Sequence, residues 1–143
     1  LRQLGKRRMT KSRHKAREVC LQALYWTESA GDPIQQTVHT MCIRSGLAKS
    51  ASEFASALAK TVWANREALD QEIEPVLDNW SLKRVARIDR ILLRMALAEM
   101  HHFKDIPVKV SIDEAIELAK RYSEAKASGF INGILDALAK KMA

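Results

Sequence analysis

The chain has 143 residues, 47% hydrophobic and 29% charged, the proportions of a folded globular protein. Five Gly and three Pro are too few turn-formers for a many-stranded sandwich, and Cys20 and Cys42 form no C-x-x-C pair, which excludes a disulfide framework or a cysteine zinc cluster. The net charge of +7 is concentrated at one end: residues 1–17 hold Arg2, Lys6, Arg7, Arg8, Lys11, Arg13, Lys15 and Arg17 with no acid, and the rest is close to neutral.

That amino end has no apolar stretch of the kind a signal peptide needs, and no apolar run anywhere approaches the ~18 residues of a membrane span. A cytoplasmic protein without a membrane partner is expected, since free thiols suit a reducing compartment. Clustered cations in such a chain serve a polyanion, because neutralising phosphates releases condensed counterions. The competing uses are a solvated tail and an acidic lipid surface. The cluster survives a start at Met9, since Lys11, Arg13, Lys15 and Arg17 remain.

Residues 1–12 read as a flexible basic leader. The first helix then opens with Ser12 as N-cap and follows the stripe Ala16, Val19, Cys20, Ala23, Leu24, with helical i, i+3, i+4, i+7 spacing. Tyr25 falls off that stripe, and Trp26 is placed to staple the helix end before Gly31-Asp32-Pro33. A second helix is predicted from about Pro33 to Arg44, closed by Gly46. A third opens after Ser50 or Ser52 and carries Phe54, Ala55, Leu58, Ala59, Val62, Leu69 and Ile73 on one face. Pro75 kinks or ends it, with Val76, Leu77 and Trp80 continuing the apolar face.

A fourth helix is predicted from Leu82, capped by Ser81. Its core stripe is Val85, Ile88, Ile91, Leu92, Met95 and Ala98, and Lys83, Arg87, Arg90 and Arg94 form a charged stripe. Ser111-Ile112-Asp113-Glu114 has the S-x-x-E spacing of a capping box for a fifth helix, with Ala115, Ile116, Ala119 and Tyr122 inward. Residues 126–129 break the chain before a last helix that carries Phe130, Ile131, Ile134, Leu135 and Leu138 and ends in Lys140 and Lys141. No strand survives. Six or seven amphipathic helices joined by short loops must bury their stripes against one another, an all-α bundle architecture with a division expected between 13–79 and 80–143.

Chemistry is sparse. No phosphate-cradling glycine loop and no nucleophile elbow is present. His101 and His102 are adjacent and point about 100° apart on a helix, so they cannot chelate one metal together. No catalytic residue, metal or cofactor is expected. His14 is a contact or a bystander. Asp89 either pairs locally with Arg90 or Lys83 or faces a basic partner protein. Phe130 is a core residue or, if partly exposed beside Lys126, a platform on which a base stacks.

Three segments together carry a family resemblance: RHKAREVCLQALY at 13–25, WSLKRVARIDRILLRMALAE at 80–99, and IPVKVSIDEAIELAKRY at 106–122 followed by FINGILD at 130–136. In order and spacing they resemble the NusB family of transcription antitermination factors; residues 32–79 add only a helical pattern. The resemblance implies two perpendicular three-helix bundles and a non-enzymatic protein. Such a protein binds the boxA element of nascent ribosomal RNA together with the ribosomal protein NusE, as part of a transcription elongation complex that resists termination.

It places RNA contacts at Arg13, His14, Lys15 and Arg17 and at Lys126 and Phe130, and NusE contacts at Tyr25 and Asp89. His14 and Lys15 stand where arginines are common in the family; lysine keeps charge but loses the bidentate fork. The rival readings are a NusB-like domain of an RNA cytosine methyltransferase and a helical scaffold with an incidental basic tail. With Ala143 closely following the last helix, a free-standing factor is expected. Monomer and homodimer stay open.

Overall fold

The computed structural model describes residues 2–78 and 81–143, with side chains from residue 11 onward. Among them lie seven α-helices, two short 3-10 turns and no strand: α1 (Arg2–Ala30), α2 (Ile34–Arg44), α3 (Lys49–Ala64), α4 (Arg66–Ile73), α5 (Arg87–His102), α6 (Val108–Tyr122) and α7 (Ala127–Met142). Trp80 lies outside the described residues, as do the side chains of Arg2, Lys6, Arg7 and Arg8.

The chain forms two compact units, one ending at Lys60 and the other beginning at Thr61. The division precedes the expected one at 79/80 because α4 packs on α5 and α7.

In the first unit α1 is helical from Arg2, so the amino end is not a flexible leader and Ser12 caps nothing. Arg, Lys, Gln and Leu are good helix formers, and one interior serine costs only a few tenths of a kcal/mol (~0.5). The predicted stripe Ala16, Val19, Cys20, Ala23 and Leu24 is buried, widened by Leu21. Gly31, at φ +80°, ends the helix and donates its N–H to the Thr27 carbonyl at 2.9 Å. Trp26 does staple the turn: its indole N–H donates to the Asp32 carboxylate at 2.8 Å. α2 packs on α1 through Val38 and Cys42 and stops before Gly46, at φ +65°.

The predicted third helix is two. Asn65 breaks it, and its side-chain amide donates to the Thr61 carbonyl at 2.8 Å, satisfying a carbonyl at the end of α3. Leu69 and Ile73 are buried as predicted, but on α4. Residues 74–76 form a 3-10 turn around Pro75.

The predicted fourth helix begins late. Residues 82–84 form a 3-10 turn, Val85 and Ala86 are extended, and α5 starts at Arg87. The i, i+3 eclipse of a 3-10 turn lets Leu82 and Val85 both reach the core. Lys83 is therefore off the helix, and Arg94 belongs to no free cationic stripe: its Nε and Nη2 hold both oxygens of Asp70 at 2.7 and 2.8 Å, tying α5 to α4. His101 adds a second tie, Nε2 to Glu72 at 2.8 Å.

α5, α6 and α7 pack on one another around Leu92, Leu93, Leu97, Leu118, Ile131 and Leu135, all essentially inaccessible. The capping box is not one. α6 starts four residues earlier, after Pro107, whose fixed φ of −59° and carbonyl launch the first turn. Ser111 lies inside the helix, buried, and donates to the Glu99 carboxylate at 2.9 Å. α7 likewise starts at Ala127, so Gly129 sits in its first turn and the break falls at 123–126.

Candidate nucleic-acid interface

Four of the expected RNA contacts lie in succession on α1, and helical geometry separates their roles. Arg13 and Arg17, four apart, share one face, and both guanidiniums lie over the ring of Phe54 on α3, at 4.8 and 5.2 Å from its centroid. At these distances the cations are attracted to the ring's negative face. Arg17 is only 2% exposed, so it packs as a buried cation, whereas Arg13 keeps part of its surface. Lys11 and Lys15, also four apart, are exposed, and His14 is half-buried. The result is a row of two exposed lysines beside an arginine whose guanidinium lies over an aromatic ring.

Phe54 was legible as a core residue but not as the seat of two arginines. It stands some forty positions along the chain, and no local pattern pairs it with them. Lys11 is set beside Lys15 by the four-residue spacing alone.

In the second unit, Lys126 is exposed at the N-cap position of α7, and Phe130 lies one turn on. Phe130 is half-buried and lines a cleft of about 740 Å³ together with Val76, Asp78, Gly133 and Lys141. Asp78 turns the chain there with a φ of +52°, a left-handed conformation that aspartate tolerates better than most residues. An aromatic at a cleft wall near two lysines is available to a flat ligand, unlike one sealed in a core.

The two expected partner contacts fall in different units. Tyr25 is 41% exposed at the end of α1. Asp89 is 8% exposed in the first turn of α5 and accepts a hydrogen bond from Ser123 Oγ at 2.7 Å. The expectation of a surface carboxylate thus meets a largely enclosed one that also fastens α5 to the end of α6.

Neither cysteine resembles an activated nucleophile. Burial pushes the Cys42 thiol up from its ordinary range, and a hydrogen bond with Ser52 only partly offsets this. Cys20 is buried. Among the described residues no group of three His, Cys, Asp or Glu is placed to hold a metal. Among those residues, too, no helix is long and apolar enough to cross a membrane.

Fold and surface together define an all-helical protein that presents cations and part-exposed aromatics on its helices, the equipment of an RNA-binding protein. The NusB family pattern matches residues 14–140. The transcription antitermination protein NusB of Salinibacter ruber is 42% identical over 129 residues, covering 89% of this chain and 80% of that one. Its counterpart in Dehalococcoides mccartyi is 36% identical over 135 residues, 94% of each. Among solved structures, T. maritima NusB superposes with a TM-score of 0.84 at 36% identity, covering 90% of this chain and 91% of that one. A NusB from a complex of the antitermination factors NusB and NusE with double-stranded RNA gives 0.83 at 26% identity, covering 92% and 98%. The chain belongs to the NusB family.

Proposed function

We propose that this protein is an RNA-binding transcription antitermination factor that holds a boxA-like element of nascent ribosomal RNA together with a NusE-type ribosomal protein within a transcription elongation complex. It acts by binding, without a catalytic centre or cofactor, in the cytoplasm. Family membership along nearly the whole chain supports this reading. The observation that carries it to particular residues is the α1 edge, where Lys11 and Lys15 are exposed beside an Arg13 preset on Phe54.

Lys15, Arg13 and His14 meet phosphates, Arg17 supports them from beneath, and Lys126 and Phe130 take a second stretch of the strand, the ring stacking under a base. Stacking requires an unpaired base, so a single strand is the preferred ligand, because A-form duplexes hide their base faces. Tyr25 and Asp89 face the protein partner.

The test is a titration of labelled boxA-like RNA with the protein, with and without the ribosomal partner. The partner should tighten RNA binding for the wild type. Asp89→Asn keeps an acceptor for Ser123 while removing the charge, so it should weaken partner binding with the melting temperature nearly unchanged. Unaltered calorimetric affinity for the partner would remove Asp89 from the interface.

A further inference from the structure

The break between α3 and α4 carries a feature that the proposed RNA contacts leave unused. Trp63, in the last turn of α3, and Arg66, the first residue of α4, are three apart, and the Arg66 guanidinium lies 3.4 Å from the centroid of the indole. That is van der Waals contact, with the cation laid on the ring rather than pointing at it edge-on. Both residues are half-exposed, and together with Asn65, Glu67 and Gln71 they line a second cleft of about 380 Å³. Among the described residues the Arg66 guanidinium makes no ion pair and no hydrogen bond, although Glu67 is its neighbour, and the indole N–H of Trp63 has no partner either. By contrast Arg94, one helix away, has two of its three guanidinium nitrogens committed to Asp70.

An arginine held flat on tryptophan has already given up much of its side-chain freedom, so less entropy is lost when a ligand uses its five N–H groups. The pair offers an outward guanidinium plane on which a base stacks and a fork that matches a phosphate. The cleft has room for one nucleobase, and Gln71 and Glu67 supply acceptors for its edge. An acidic peptide would use the charge but leave the stacking plane idle.

We infer that the Trp63–Arg66 stack is an additional contact for single-stranded RNA, taking one nucleotide outside the contacts at α1 and α7. The inference rests on the RNA-binding reading above.

The experiment is fluorescence anisotropy with a 5′-labelled RNA of about 30 nucleotides centred on a boxA-like element, long enough to reach beyond any one contact. Trp63→Ala removes the ring that holds the guanidinium in place and should weaken binding roughly fivefold, the range of one lost cation–π contact. Trp63→Phe should restore most of it. Arg66→Gln should weaken binding and make the logarithmic salt slope shallower by about 0.7, one phosphate's share on a single strand. Arg66→Gln alters a half-exposed side chain with no hydrogen-bond or ion-pair partner among the described residues, so its thermal melt should stay close to the wild type and keeps the test sound if Trp63→Ala unfolds. Equal RNA affinity and slope for wild type and Arg66→Gln would overturn the inference while leaving the proposed function standing. So would Arg66-dependent binding of a labelled oligoglutamate peptide with RNA binding untouched. Failure of the wild type to bind the RNA would instead refute the parent reading.

Discussion

The four α1 residues show how neighbouring positions of like charge take unlike jobs. Lys15 projects into solvent, whereas Arg17, two residues on, is enclosed with its guanidinium over Phe54. Replacing them separately distinguishes the jobs. Arg17→Ala removes a cation–π contact and buried stem packing, and should cost about 1–3 kcal/mol in chemical denaturation. Lys15→Ala should change stability by less than about 0.5 kcal/mol yet weaken RNA binding. Equal stability losses for the two would contradict the assigned roles.

Cys42 offers a second test at this scale. Its raised pKa means the folded state keeps the thiol protonated where the unfolded chain ionises. The group therefore costs nothing below the ordinary thiol pKa, and stability falls as pH rises past it, because the unfolded state alone sheds the proton. A maleimide or iodoacetamide time course near neutral pH should label Cys42 slowly until denaturant is added; prompt labelling of the folded protein would show the thiol exposed. None of this was readable from the sequence, which places Cys42 in the predicted second helix without marking which face of it is covered. The same holds for Arg17, whose burial depends on a ring some forty residues away.

Among the elements, apolar periodicity found the faces that are buried but misplaced several ends. Val62 and Leu69 stay in phase seven residues apart, so the pattern runs straight through Asn65, where the helix stops. The S-x-x-E at 111–114 satisfies the capping rule, yet Pro107 starts α6 earlier and Ser111 serves the buried Glu99 instead. Motifs of this kind describe what a short segment can do alone, and tertiary contacts choose among the options. Ser111→Ala tests the alternative use directly. It removes a donor from a buried carboxylate and should cost about 1–3 kcal/mol in urea unfolding. A cap at that position would show a similar loss but would leave α6 frayed at residues 108–110, visible as fast amide exchange; the internal bond predicts those amides protected to the same relative degree as in the wild type.

For the molecule as a whole, function follows from how charge is distributed over a helical frame whose interior is nearly all aliphatic. The family resemblance and the all-α class were legible because they rest on long ordered segments, at 13–25, 80–99 and 106–136, where sequence order itself is the signal. The proposed contact residues were legible only as positions; which of them are exposed, packed or hydrogen-bonded emerged from their neighbours in space. A protein that works by presenting cations should show it in its salt dependence, since each phosphate neutralised on a single strand contributes about −0.7 to the logarithmic slope of affinity against salt.

The most direct measurement is therefore the affinity of a boxA-like RNA for wild type and for the combined Lys11→Ala, Arg13→Ala and Lys15→Ala variant, across 50 to 200 mM salt, on proteins with matched melting curves. The account predicts a steep slope for the wild type, and for the variant weaker binding with a slope shallower by about 2, three phosphates' worth. Superimposable affinities and slopes would contradict it.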